Sequence, residues 1–232
     1  MQFYVSCGMY SSGSTWVFNV MKQLLEEDGP VSAFYGEVVD ENFERQRSDR
    51  CLIKCHGPHV SMRVLASAVK APIMLTVRDP RDAVTSFMQR FGRSFDETLQ
   101  MVSLGGLMIC ELADRCDPLI FEYSDHFTDR IGTVEAIASR MRLQTNAAQR
   151  RRVFESLTSV AVKNYIGRLV SERALDAADP VGSVDAPTQW HPGHVGDGKV
   201  GKFKDFLSPE QIRETARVTA KYCRQFGYPL DV

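Results

Sequence analysis

Three short segments place cations, a histidine and small residues where the chemistry of anions needs them. Lys54 and His56 stand two residues apart in Leu52-Ile53-Lys54-Cys55-His56-Gly57-Pro58, at the end of an apolar run with strand character. If the strand persists, both side chains project to the same side. A lysine there can neutralise a leaving oxygen, and a histidine, with an ordinary pKa of about 6.5, can take a proton from a hydroxyl. Arg78 and Ser86, eight residues apart across Arg78-Asp79-Pro80-Arg81-Asp82-Ala83-Val84-Thr85-Ser86, offer a forked guanidinium and a hydroxyl donor to a phosphate. The third segment is Gly8-Met9-Tyr10-Ser11-Ser12-Gly13-Ser14-Thr15-Trp16, between a strand-like run and a helical pattern. Its backbone N–H groups and the positive end of the helix would converge on one anion.

Each segment also has a plainer reading. The first loop could be a Gly/Ser turn, His56 a loop histidine before Gly-Pro, and Arg78 part of a capping network around Asp79 and Asp82. Nor is the loop a Walker A sequence, because Gly13 is followed by Ser14 where GxxxxGK[ST] requires lysine. The signature of ordinary nucleoside triphosphate hydrolysis is therefore missing.

The elements that must hold these residues are strands near 2–7, 51–55, 72–77 and 118–122, alternating with helices. The helices are expected at Trp16 to Glu27, Val60 to Lys70, and Pro80 to about Arg90. A longer one starts at the capping box Ser94-Phe95-Asp96-Glu97, and the pair Gly105-Gly106 is expected to kink or split it. Further helical patterns cover about 130–142, 146–157 and 159–177, and Ser208-Pro209 opens a last helix running to about Gln225. Residues 31–50 read as irregular. The Pro- and Gly-rich stretch from Asp179 to Lys202 reads as a long loop, of the kind that is functional or disordered. Continuous apolar strands alternating with helices predict one α/β domain over 1–232, with a central parallel sheet flanked by helices.

Composition narrows the function. The 232 residues carry 28 Lys+Arg against 29 Asp+Glu, a formal net charge of −1, so a general nucleic-acid binder is not expected and any anion site must be local. No apolar run is long enough for a membrane span, and the N-terminal stretch is cut short by Gly8, Ser11 and Ser12, unlike a signal peptide; a cytoplasmic protein is expected. The six cysteines lie mostly in apolar segments without CxxC pairs and read as reduced core thiols. Cys51, Cys55, His56 and His59 do not make a convincing metal set, and no metal is expected.

Taken in order, the segments resemble the sulfotransferase family. Ser11-Ser12-Gly13-Ser14-Thr15-Trp16 is similar to its Ser-Gly-Thr-Thr-Trp loop, which binds the 5'-phosphosulfate of 3'-phosphoadenosine 5'-phosphosulfate (PAPS). Lys54-Cys55-His56 resembles the Lys-Thr-His block that supplies the catalytic histidine, and Arg78 to Ser86 resembles the 3'-phosphate block. Glu122-Tyr123-Ser124-Asp125 is a weaker match that places Tyr123 near the adenine. Gly198-Lys199-Val200-Gly201-Lys202-Phe203-Lys204 resembles the Gly-rich basic loop that closes on the 3'-phosphate, in the bacterial-type form His-x-x-Asp-Gly-Lys-x-Gly-Lys followed by an aromatic residue. The resemblance runs from residue 3 to about 226, carried by these five short blocks.

The resemblance implies a P-loop-like sulfotransferase fold and transfer of a sulfuryl group from PAPS to an acceptor hydroxyl, leaving 3'-phosphoadenosine 5'-phosphate (PAP). His56 would be general base and Lys54 the leaving-group stabiliser. Ser11, Ser12, Gly13, Ser14, Thr15 and Trp16 would bind the cofactor with Arg78, Ser86, Tyr123, Gly198, Lys199, Gly201 and Lys202. Two departures stand out: Ser11 occupies a position where the family often has Lys or Arg, and Gly196-Asp197-Gly198 falls on an Arg-Lys-Gly triple. Small-molecule phenol, carbohydrate, lipid and peptide tyrosine all remain open as acceptors. The rival readings are a nucleotide or small-molecule kinase on a related fold and a PAP-binding module with little or no catalysis.

Overall fold

The computed structural model describes residues 1–40, 43, 48–179 and 182–230. Five parallel strands, β1 (Gln2–Gly8), β2 (Ser32–Tyr35), β3 (Arg50–Cys55), β4 (Ile73–Val77) and β5 (Leu119–Glu122), form one sheet in the order β2-β3-β1-β4-β5. The β3 to β4 connection therefore crosses β1, and the crevice at the carboxyl ends of these three strands is the switch point where such sheets bind ligands. The paired positions Ser6↔Lys54 and Gly8↔Thr76 fix the register beneath that crevice.

Alternating strand residues feed two cores. Tyr4, Leu52 and Met74 face α1 (Ser14–Glu26), α5 (Ile131–Arg140), α6 (Ala147–Ser156) and α7 (Ser159–Ser171). Val5, Ile53 and Leu75 face α2 (Val60–Ala68), α3 (Pro80–Phe91), α4 (Phe95–Arg115), α9 (Pro209–Val218) and α10 (Ala220–Phe226); α8 (Phe203–Phe206) is a single turn beside α3. The helices begin where capping chemistry predicts: Ser94 and Glu97 bond reciprocally at the start of α4, and Ser208 and Gln211 do the same at α9. Five cysteines are buried, and Cys116 is partly exposed. No described helix is long and apolar enough to cross a membrane.

The structure corrects several expectations. Residues 32–35 are not irregular: they form edge strand β2, with Phe34 buried. Residues 41, 42 and 44–47 of the span expected to be irregular lie outside the described residues. Helix α4 runs unbroken through Gly105-Gly106 and is not split there. The missing Gly105 side chain lets it approach the loop after β1 and the turn after β3, since a Cβ on Gly105 would lie 3.2 Å from the Tyr10 ring and 3.5 Å from the His56 carbonyl. Helix α7 stops at Ser171, short of residue 177. The last helix breaks at Thr219, whose hydroxyl bonds back to the Thr215 carbonyl.

Candidate active site

The loop after β1 is shaped by two left-handed residues, Ser11 (φ 57°) and Gly13 (φ 85°), and Gly13 caps α1 without any side-chain hydrogen bond. Among the described residues the amides of Gly13, Ser14 and Thr15 have no acceptor, so the helix start is a ready anion cradle. The Ser12 side chain turns into the fold. Its hydroxyl is buried between the Met9 carbonyl (2.5 Å) and Thr76 Oγ1 (2.6 Å), tying the loop to β4. Gly8 is obligatory for this contact, because a Cβ there would lie 1.9 Å from Thr76 Oγ1.

Lys54 and His56 come together as expected, with Nζ 3.3 Å from Nε2. His56 Nδ1 lies 2.8 Å from the Gly8 carbonyl. A carbonyl only accepts, so Nδ1 carries the proton and the neutral ring presents Nε2 as its basic atom. Burial, reinforced by Lys54, pushes the His56 pKa down to about 3, and burial brings Lys54 to about 8. Tyr10 stacks on the imidazole at 4.9 Å and meets Phe87 edge-on.

One positioning group has no counterpart in the sequence reading. Both carboxylate oxygens of Glu37 accept backbone hydrogen bonds, from His56 N and Gly57 N, each at 2.8 Å. The Glu37 carbonyl also accepts from His59 N, so the turn carrying His56 is held at three points. Burial pushes the Glu37 pKa up against these amides, which favour the carboxylate.

Arg78 is 4% exposed and lies over the Tyr123 ring at 4.0 Å. Its guanidinium donates to the carbonyls of Ser11 (2.8 Å) and Lys199 (3.2 Å), joining the first loop to the last. The last loop is fastened by Asp82, another residue the sequence reading did not single out for the site, which accepts from Gly201 N (2.7 Å) and Phe203 N (3.1 Å). Left-handed Gly198 and Gly201 allow the turns on either side of Lys199. Lys199 itself turns outward, with its ammonium paired to Asp205 at 2.5 Å. Lys202 turns inward, 9% exposed, with Asp197 at 3.7 Å; burial and Arg78 both lower its pKa.

A cavity of about 530 Å³ is lined by Ser11, Gly13, Ser14, Thr15, Lys54, His56 and Tyr123, among others. One end is formed by the cradle and Trp16, whose indole N–H donates to the Leu157 carbonyl at 2.8 Å and whose edge meets Phe127. Trp16 is thus a core residue, 5% exposed, that also walls the cavity. The other end gathers Phe87, Phe91, Trp190, His191 and His194, joined by ring contacts of Phe91 with His191 and of His194 with both Trp190 and His191. Burial lowers the pKa of both histidines. The sequence marks the long loop as functional or disordered, but nothing in it says that His191 would face this cavity. Buried polar atoms without partners, Ser11 Oγ, Arg78 Nε, Ser86 Oγ and His194 Nδ1, mark where ligand atoms would find hydrogen bonds.

No family model matches the chain, and no curated protein does. Solved structures do. Mouse sulfotransferase SULT7A1 complexed with PAP superposes with a TM-score of 0.69 over 96% of this chain and 85% of that one, at 17% sequence identity. Retinol dehydratase in complex with androsterone and inactive cofactor PAP gives 0.65 over 96% and 80%, at 15% identity. Retinol dehydratase in a complex with retinol and PAP gives 0.62 over 96% and 81%, also at 15%. The chain therefore has the fold of these PAP-bound proteins, the P-loop-like sulfotransferase fold.

Proposed function

We propose that the protein is a PAPS-dependent sulfotransferase acting on a hydroxyl acceptor. The observation that carries the reading is the 3.3 Å approach of Lys54 Nζ to the basic Nε2 of His56, beside an anion cradle with free amides. The acceptor oxygen attacks sulfur, the bond from sulfur to the bridging oxygen breaks, PAP leaves with that oxygen, and the acceptor proton passes to His56 Nε2. Lys54 offsets the charge growing on the bridging oxygen, as a loose transfer requires. Gly13, Ser14, Thr15 and the Ser11 hydroxyl hold the 5' end, Trp16 and Tyr123 flank the adenine, and Arg78, Ser86 and Lys202 take the 3'-phosphate. Lys199 serves through its carbonyl on Arg78, with its ammonium turned away. Gly198 and Gly201 give the closing loop its shape.

The aromatic end of the cavity suits a ring-bearing or lipidic alcohol, in keeping with the androsterone and retinol found with retinol dehydratase. Calorimetric titration of PAP, with AMP as control, tests the cofactor, and Arg78→Ala should weaken PAP at least ~30-fold, two charge-assisted hydrogen bonds being at stake. Labelled PAPS incubated with 2-naphthol, androsterone and retinol then tests transfer. There His56→Ala should cost ~10²- to 10⁴-fold in turnover while PAP affinity stays within about threefold. Ser11, where a cation is usual in this type of loop, favours a second reading: tight PAP binding with no transfer to any acceptor would support a binding module.

A further inference from the structure

Among the described residues, Arg90 is the cation lining the candidate site that is shielded from solvent and yet has no partner; Lys163, also without one, is exposed. Arg78 faces Asp82 at 3.9 Å, Lys202 faces Asp197 at 3.7 Å, and Lys199 is paired with Asp205. Among the described residues neither a hydrogen bond nor an ion pair engages the Arg90 guanidinium; its one aromatic contact is the ring of its own neighbour Phe91, at 5.9 Å. Yet it is half-buried, on the last turn of α3. A desolvated cation without a carboxylate is costly, and an arriving anion would offset that cost.

Its position says which anion. Arg90 lies one helical turn beyond Ser86, so both side chains project from the same face of α3. The two line a second cavity of about 450 Å³ together with Lys202, Gly196 and Asp197. Ser86 is 4% exposed, and its buried hydroxyl has no hydrogen-bond partner among the described residues. Arg90, Gly196 and Asp197 also line the main cavity, so they form the wall between the two. The closing loop supplies no cation on that wall, only a glycine and a carboxylate. Burial lowers the Arg90 pKa; Tyr123, over whose ring Arg78 lies at 4.0 Å, opposes the shift, and the charge of Arg78 adds to it.

We propose that Arg90 is a third cation of the 3'-phosphate pocket, completing a set with Arg78 and Lys202 around the Ser86 hydroxyl, and that it sets the preference for 3'-phosphorylated adenine nucleotides over those lacking that phosphate. The inference rests on the sulfotransferase reading only for the identity of the nucleotide. It assigns the helix, rather than the closing loop, as the source of the cation opposite Gly196-Asp197.

The test needs no acceptor. PAP and ADP are titrated calorimetrically into the wild-type protein, Arg90→Gln and Arg90→Lys, with thermal melting of each free protein as a check on folding. Arg90→Gln should weaken PAP at least ~10-fold, the range for a hydrogen bond to a charged group, while ADP changes less than about twofold. Arg90→Lys should recover part of the loss. PAP affinity unchanged in a folded Arg90→Gln protein would overturn the proposal, as would an equal loss of PAP and ADP, which would place Arg90 at the 5' end. Failure of the wild-type protein to bind PAP is a different result: it sinks the sulfotransferase reading itself.

Discussion

The two ends of the main cavity are built in opposite ways. The cradle end hangs from strand termini: Gly8 closes β1, Lys54 is the last residue but one of β3, and Arg78 follows β4, each held by hydrogen bonds to a neighbouring strand or loop. The aromatic end is made largely by residues 184–198, which have turns but no helix or strand, together with Phe87 and Phe91 from α3. Strand ends fix atoms to within the tolerance of a hydrogen bond. The loop instead builds its enclosure from side-chain packing, with Trp190, His191 and His194 in ring contact. The division suits a protein that must hold one invariant anion in register for in-line transfer while admitting an acceptor of variable shape.

The sharpest way to break the comparison is to damage the rigid end with one methyl group. Gly8→Ala places a Cβ 1.9 Å from Thr76 Oγ1, and Thr76 cannot retreat without giving up its 2.6 Å bond to Ser12. Overpacking of this kind costs about 1–3 kcal/mol, and at about 2–4 °C per kcal/mol for a chain of this size the melting temperature should fall by several degrees. PAP affinity should fall far more than stability, ~100-fold or beyond, because the displaced segment is the cradle itself. A Gly8→Ala protein that binds PAP normally would show that the cradle loop is not held in register by these hydrogen bonds, and the contrast would be lost.

That rigid end was also the legible one. Its residues act through local chemistry: a glycine where chains approach, a serine-rich helix start, a lysine and histidine at adjacent same-side positions, an arginine just past a strand. Each of these leaves a mark within a few residues of sequence. Glu37 left none, because it reaches His56 through backbone amides 19 and 20 positions away. Edge strand β2 escaped for a different reason: Ser32-Ala33-Phe34-Tyr35 is four residues long in a polar span, too short for its alternation to register. In the closing loop the basic character was plain, but which lysine turns inward is decided by left-handed Gly198 and Gly201 and by the Asp82 anchor, none of which reads out as a direction. Gly105-Gly106 does not split the helix as the pair suggested: Gly105 packs closely against Tyr10 and the His56 carbonyl, and Gly106 against Met9 and Tyr222.

A second prediction sharpens the comparison through pH. Burial holds the Lys54 pKa down at about 8, with Glu37 and the Cys7 and Cys55 thiols the anion-forming groups that oppose the shift, and neutral His56 beside it. A polyanionic nucleotide favours the charged lysine and raises that pKa. Above pH 8 the free protein has lost a proton that the complex retains, so PAP binding must take up protons there, and affinity should fall by up to ~10-fold per pH unit. Below pH 8 Lys54 contributes no slope. Titrations at pH 8.5 in two buffers of different ionisation enthalpy measure the uptake directly, and Lys54→Gln should abolish it. Uptake that survives in Lys54→Gln would assign the proton to another group and remove Lys54 from the anion's surroundings.

The smallest effect belongs to the aromatic end. His191 is 7% exposed, its Nδ1 is bonded to the Pro192 carbonyl at 2.9 Å, and its ring contacts Phe91 and His194. His191→Ala removes one wall of the aromatic enclosure without touching any group assigned to the nucleotide. With an acceptor identified among 2-naphthol, androsterone and retinol, its KM should rise about 3- to 10-fold, the value of one ring contact of roughly 0.5–1.5 kcal/mol. PAP affinity should stay within about twofold, and kcat should change less than KM. If PAP affinity fell with the acceptor's, the enclosure and the cradle would be one cooperative unit. The loop at 184–198 would then owe its shape to the nucleotide, with Arg90, Gly196 and Asp197 as the shared wall through which the two ends sense each other.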